Sequence, residues 1–214
     1  MPKLRSAVQM AAARSSPDAQ RPENLLPNMN REEKVRTMIF APLLFLLLTS
    51  PAFAKEPIRT IQGTVTKVSD GDTIQVVDQL GSRVKVRLYG IDAPEMERRN
   101  RKTGLVSKQG QPYGQEAFDA LKGKIGGQRV KAEVMDIDRY RRAVSVVWLG
   151  ERNINKEMVR EGFAWAYRQY LDRPYTSEYI QAEEQARREG RGLWRQGNPQ
   201  PPWEFRRMQK GMSR

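Results

Sequence analysis

Five side chains within one short stretch have the types and spacing for chemistry on a phosphodiester. Asp70-Gly71-Asp72-Thr73 sets two aspartates at a tight turn. Arg87-Leu88-Tyr89-Gly90-Ile91-Asp92-Ala93-Pro94-Glu95 then supplies an arginine, a third aspartate and a glutamate just past a proline. Carboxylates are hard oxygen donors for a divalent cation, and a guanidinium presents paired donors that match two phosphate oxygens. Taken singly, Asp72 and Asp92 read as ordinary turn aspartates and Glu95 as a solvated loop residue. Their combination is what suits a metal ion and a phosphate together. The chain has no cysteine and no histidine, which excludes disulfides, thiolate nucleophiles, Cys-ligated zinc and the usual neutral-pH base. Acid–base work falls to carboxylates, lysines, tyrosines or metal-activated water.

The elements that must hold these groups are read from periodicity. Residues 58–69 alternate loosely, with Ile61, Val65 and Val68 inward, and predict a long first strand. Residues 73–78 form a second strand with Ile74 and Val76 on one face. In 83–88 the alternation is clean, with Val84, Val86 and Leu88 on one face and Arg83, Lys85 and Arg87 on the other, so Arg87 points away from the interior. Gly90 and Ala93-Pro94 end that strand and leave Asp92 and Glu95 on a loop beside it. Residues 96–111 are polar and basic with no period and read as a surface loop. Two further strands are expected at 129–136 and 143–149. Short helices are expected at 114–121, at 153–161 with Gly162 as its stop, and at 176–189 with Thr176 as N-cap.

These residues also carry a family resemblance. Asp70-Gly71-Asp72-Thr73, the run Arg87 to Glu95, and Asp138-Arg139-Tyr140-Arg141-Arg142 are followed in order by Asn155, Val159, Gly162 and Gly192-Leu193-Trp194. In this order and spacing they resemble the thermonuclease (staphylococcal nuclease-like) family over residues 57–195. The resemblance implies an α+β fold, a five-stranded OB-type β-barrel with three short helices. It implies Asp72 and Asp92 as carboxylate ligands of a Ca²⁺ ion, the backbone carbonyl of Ala93 as a third donor where relatives often carry threonine, and Asp70 nearby without direct contact. Glu95 matches the family's catalytic glutamate, the candidate general base for the attacking water. Arg87 and Arg142 match its phosphate clamps. Because glycine usually stands where this chain has Arg141, counting from Tyr140 favours Arg142 over Arg141, and a turn needing positive φ would strain Arg141.

The resemblance further implies that Tyr140 stacks on a base, that Arg139 meets a terminal phosphate, and that Tyr167 or Tyr170 hydrogen-bonds a phosphate. The plain alternative for these aromatics is core or rim packing, to which Trp148, Trp165 and Trp194 are assigned. Arg98, Arg99, Arg101, Lys102 and Lys108 form a basic loop suited to tracking a nucleic-acid backbone. The implied activity is a Ca²⁺-dependent endonuclease acting on single-stranded or locally melted DNA and on RNA. It has little base specificity, works as a monomer, and leaves 3′-phosphate ends after in-line attack of water. A contrasting reading is a non-catalytic OB-type nucleic-acid-binding module, which predicts loss of arginine or glutamate at positions 87, 95 and 142.

Charge and organisation agree with a polyanionic partner. The 214 residues suit one or at most two domains. They carry 38 Lys+Arg against 25 Asp+Glu, a net charge of +13, which draws polyanions irrespective of their sequence. Near the N-terminus Arg31, Lys34 and Arg36 flank the apolar run Met38 to Leu48, and Ala52-Phe53-Ala54 supplies an A-x-A cleavage pattern. This is the layout of a secretory signal peptide, with translation starting at Met1, Met29 or Met38. The run is shorter than the ~20 residues that span a bilayer, so an exported protein with no stable membrane anchor is expected after cleavage near Ala54. An uncleaved segment would instead give a membrane-tethered protein. Residues 1–54 hold 7 Lys+Arg and 4 Asp+Glu, so the remainder keeps 13 − 3 = +10. The expected organisation is leader 1–54, barrel domain 55–196, and a Pro-rich, basic tail 197–214.

Overall fold

The computed structural model describes residues 55–172 and 174–212. The leader expected over 1–54, with its cleavage pattern, lies outside the described residues. The elements run β1 (Arg59–Asp70), β2 (Thr73–Asp78), β3 (Arg83–Leu88), β4 (Ile91–Asp92), β5 (Arg98–Arg99), β6 (Val106–Lys108) and α1 (Gly114–Ile125). They continue with β7 (Arg129–Ile137), β8 (Ala143–Leu149), β9 (Arg152–Asn153), α2 (Ile154–Arg160), β10 (Trp165–Ala166), α3 (Tyr175–Arg188) and α4 (Pro202–Met212). Among the described residues no helix is long and apolar enough to cross a membrane.

The long strands follow the order β3-β2-β1-β7-β8, and β3 pairs with β8 to close the ring. Neighbours along this order are antiparallel, whereas β3 and β8 run parallel, with Arg87 opposite Val144. The result is a five-stranded mixed barrel of the OB type. The loose alternation of β1 has a physical cause in two register shifts, between Val65 and Lys67 and between Val68 and Asp70, which bend the strand around the barrel. Ile61, Val65, Val68, Ile74, Val76, Val86 and Leu88 fill the interior as expected, joined by Ala117, Leu121 and Ile125 of α1 and Ile154, Met158 and Val159 of α2.

A buried asparagine ties the closure together. Asn155 Nδ2 donates to the carbonyls of Tyr89 and Ser145, each at 3.0 Å, and its Oδ1 accepts the Val147 N–H at 2.9 Å. One amide thus joins the end of β3, the middle of β8 and the first turn of α2. That helix starts where expected, with Asn153 Oδ1 accepting the Lys156 N–H at 3.0 Å as its N-cap.

Three expectations are corrected. The described residues contain four α-helices rather than three, because residues 202–212 of the tail fold as α4. The third expected helix begins at Tyr175 with Pro174 at the cap position. Thr176 is no cap, since its hydroxyl donates backward to the Leu171 carbonyl at 2.9 Å. The stretch 96–111 is not all loop, for β5 and β6 pair as a small antiparallel hairpin.

Replacing Asn155 by alanine would leave the buried Val147 N–H and Tyr89 carbonyl without this partner. A destabilisation of about 2–4 kcal/mol is expected, read as a lower urea midpoint with unchanged slope.

Candidate active site

Asp72 is held by the β1–β2 turn, and that turn requires Gly71. A Cβ at position 71 would lie 2.8 Å from the Cβ atoms of both Ala117 and Ala93, so the turn packs directly on α1 and on the loop carrying Glu95. Asp92 is held by β4, whose antiparallel pairing with β10 sets it opposite Trp165. Between them Gly90, at φ 70°, turns the chain out of β3. Glu95 is fixed by its backbone: its N–H donates to Gln111 Oε1 at 3.1 Å, and its carbonyl accepts the Gln111 N–H at 2.7 Å.

Four carboxylates, Asp70, Asp72, Asp92 and Glu95, are buried here. Carboxylates are rarely buried unless paired, and each of these has a cation. The Arg87 guanidinium bridges two of them, with Nη1 ion-paired to Asp72 Oδ1 and Nη2 donating to Asp92 Oδ1 at 2.7 Å. Asp72 is held further by the Ala93 N–H on Oδ2 at 2.9 Å and the Thr73 hydroxyl on Oδ1 at 3.0 Å. Lys108 is ion-paired with Glu95 Oε2. Asp70 accepts Arg98 Nη2 at 3.2 Å and the Gly71 N–H at 3.1 Å. The fourth cation is Arg206 of α4. Its Nη1 lies 2.8 Å from Glu95 Oε1 and 3.1 Å from Asp92 Oδ1, and its Nη2 lies 2.7 Å from Asp92 Oδ2.

These contacts shift proton affinities in both directions. Burial pushes the Arg87 pKa down against the pull of Asp92, with Arg142 and Arg206 adding to the depression through their like charge. Burial and the nearby Glu95 charge raise Asp70, against Lys108 and Arg98. For Glu95 burial acts upward, but its bonds to Lys108 and Arg206 outweigh it and hold the group below its ordinary range.

The turn 138–142 stands at the edge of the site. Asp138 Oδ1 accepts the Tyr140 and Arg142 N–H groups, each at 2.9 Å, and Oδ2 accepts Arg142 Nε at 2.7 Å. The turn forces Arg141 to φ 59°, the strained conformation that a glycine would adopt freely, and leaves its side chain exposed. Arg142 is half-buried and close enough to Arg87 for its charge to be felt there. Tyr140 is exposed between two cations, with the Arg139 and Arg142 guanidinium carbons 4.8 Å and 5.4 Å from its ring centre. Tyr167 lies near Asp92, Arg206 and Arg87, and burial first, then Asp92, raise its pKa. Tyr170 packs on Tyr167 with ring centres 4.8 Å apart and is otherwise exposed.

The structure therefore gathers Asp70, Asp72, Arg87, Asp92 and Glu95 in one cluster, with Arg142 and Tyr167 next to it and Arg139, Tyr140 and Tyr170 on the rim. Sequence reasoning did not find Lys108 as a Glu95 partner, nor Arg206. Lys108 carries no local signal. For α4 a signal existed: Pro202 at the first helical position, followed by Trp203, Arg206, Arg207 and Lys210 at helical spacing.

Asp72 and Asp92 are hard oxygen donors of the kind that a divalent cation takes. Asp72 and Asp92 each lie against a nitrogen of the same guanidinium, so their oxygens already converge on one positive charge. No group of three acidic side chains suited to holding a metal occurs among the described residues. An ion here would take two carboxylates and complete its shell with carbonyl and solvent oxygen, as calcium tolerates.

The sequence pattern of the staphylococcal nuclease homologue family matches residues 85–196. An uncharacterized endonuclease of Haemophilus influenzae is 36% identical over 168 residues, covering 78% of this chain and 83% of its own. A micrococcal nuclease of Shigella flexneri is 35% identical over 179 residues, covering 79% of this chain and 91% of its own.

Two outcomes follow from the geometry of the site. Folding favours ionised Glu95, so the stability it contributes is complete above its ordinary pKa of 4.5 and is lost as pH falls through the lower folded-state value. Glu95→Gln should flatten the fall in stability below pH 4.5, measured by urea melts across acid pH, and leave the neutral slope unchanged. Arg141→Gly should relieve the positive-φ strain and stabilise the fold by roughly 0.5–1 kcal/mol, seen as a raised melting temperature.

Proposed function

We infer that this chain, which belongs to the staphylococcal nuclease homologue family and is a nuclease, is a calcium-dependent endonuclease that hydrolyses DNA and RNA with little sequence preference. The observation that carries the reading is the single guanidinium of Arg87 bridging two buried aspartates, with Glu95 joined to the same cluster through Arg206. Oxygen donors for a divalent cation and an arginine for the diester lie within one shell of contacts.

In this reading Asp72, Asp92 and the carbonyl of Ala93 hold the calcium. The ion, when bound, supplies Lewis-acid neutralisation of the negative charge that builds on the phosphoryl oxygens. Arg87, which the ion would free from the two aspartates, and Arg142 present paired donors to the other oxygens, and their charge counters that of the five-coordinate transition state. Glu95, held ionised by Lys108 and Arg206, orients the attacking water and accepts its proton. A carboxylate with so low a proton affinity is a weak base, so positioning and electrostatics carry most of the rate and Glu95 chiefly aims the nucleophile. Attack in line with the leaving 5′ oxygen breaks the P–O5′ bond and leaves a 3′-phosphate, and the departing 5′ oxygen takes its proton from solvent. Asp70, raised by burial and by Glu95, serves the electrostatic balance of the cluster rather than direct ligation. Arg139, Tyr140, Tyr167 and Tyr170 border the cluster as contacts for flanking nucleotides. Single-stranded or locally melted substrate, action as a monomer, and export after cleavage near Ala54 complete the proposal.

The test is cleavage of a labelled single-stranded oligonucleotide by the full chain, with calcium and with chelator. Cleavage should require calcium, leave 3′-phosphate ends, and fall by roughly 10²–10⁴ in Arg87→Ala and Glu95→Gln. Arg142→Ala should fall with them, while Arg141→Ala should keep parental rates. Undiminished cleavage in both Arg87→Ala and Glu95→Gln would overturn the assignment of the site.

A further inference from the structure

The cleft beside the carboxylate cluster has one wall that lies beyond the residues matched to the family. The cleft encloses about 510 Å³ and is lined by Arg139, Tyr167, Trp203, Arg206, Arg207, Lys210 and Gly211. Five of the seven come from α4, at spacings of three, four, seven and eight residues from Trp203, which put them on one side of the helix. The helix is anchored at several points. Pro202 is buried, the Trp203 ring stacks parallel on Tyr167 at 5.2 Å and 4°, and it meets Trp165 edge-on at 5.7 Å. Gln111, which also holds Glu95, donates to the Gln200 carbonyl at 3.1 Å. Arg206 then reaches from the cleft floor to Asp92 and Glu95.

Charge and ring placement identify what this cleft takes. Its lining holds arginines, a lysine and two stacked aromatics, with no carboxylate. Arg207 and Lys210 are exposed, and neither has an ion-pair partner among the described residues. Arg139, on the 138–142 turn, lines the same cleft. Unpaired cations over an aromatic platform suit a single polynucleotide strand, whose phosphates meet the charges while a base lies on a ring.

We propose that α4 forms one wall of a strand-binding subsite, in which Arg207 and Lys210, together with Arg139, hold the phosphates of nucleotides flanking the scissile bond, and the Tyr167–Trp203 stack receives a base. This rests on the nuclease reading for the position of the scissile bond. Arg206 ties the wall to the carboxylate cluster through Asp92 and Glu95.

The experiment uses the full chain in chelator with a fluorescein-labelled single-stranded oligonucleotide, and reads binding by anisotropy across a salt series. Arg207→Ala/Lys210→Ala should bind about tenfold more weakly at low salt, and the slope of log K against log salt should shrink by about 0.7 for each phosphate no longer neutralised. Arg207→Glu/Lys210→Glu should bind more weakly still. With calcium, the alanine pair should raise KM while kcat stays near the parental value, a split that a merely structural role for α4 would not give. Parental affinity and slope in both double variants would overturn the subsite. Tighter binding would also overturn it, and would make α4 an occluding element instead. A parent that binds but does not cleave overturns the calcium-endonuclease reading and leaves the subsite standing, whereas a parent that cleaves beside variants that bind like it does the reverse.

Discussion

The rest of the site depends on the guanidinium of Arg87 lying between Asp72 and Asp92. The two aspartates come from different parts of the chain, one from the turn after β1 and one from the short β4. Both are buried, and two carboxylates brought together out of water repel each other and lose hydration. A planar cation with two outward nitrogens compensates both at once. Arg87 reaches that position because the alternation of β3 turns Val86 and Leu88 inward and Arg87 the other way, while the pairing of Arg87 with Val144 fixes its height on the barrel. The buried Asn155 network then locks β8 against the end of β3. Core packing and ligand geometry are in this sense one problem, solved by the same strand.

Much of this was legible along the chain, and the misses have physical reasons. The period-2 pattern of β3 located Arg87 and its direction, because a strand with one buried face leaves little freedom of register. Turn chemistry and strand ends gave Asp72 and Asp92 only as turn aspartates, and what joined them as a pair was the resemblance of their order and spacing to a family pattern. Lys108 could not be read in this way, since its meeting with Glu95 depends on how the β5–β6 hairpin folds back over the cluster. Arg206 lies beyond a Pro-rich break that reads as a tail, and only tertiary contact reveals its partners. Thr176 failed as a cap because the preceding chain offers its hydroxyl a carbonyl at Leu171. Arg141 takes a positive φ in the 138–142 turn, which three hydrogen bonds to Asp138 hold.

The aromatics divide between packing and surface. Trp165 and Trp194 meet edge-on at 4.3 Å, with the Arg187 guanidinium 4.1 Å from the Trp194 ring centre and 5.0 Å from that of Trp165. Both indole nitrogens are buried without a hydrogen-bond partner, so these rings contribute contact area and cation attraction rather than polar bonds. Trp203 extends the same cluster outward to Tyr167. A continuous aromatic seam thus runs from the packing of α3 to the edge of the site, and gives α4 an apolar seat beneath its charged face.

The parallel seam between β3 and β8 has a consequence for when the enzyme becomes an enzyme. Parallel partners cannot be joined by a tight hairpin, so the segment between residues 88 and 143, with α1 and β7 in it, must fold before the ring can shut. Contacts of such long sequence separation form slowly and late. A chain emerging from the ribosome therefore carries every reactive side chain of the first cluster while lacking the register that gathers them. The cluster cannot be assembled until the second half of the chain has been made.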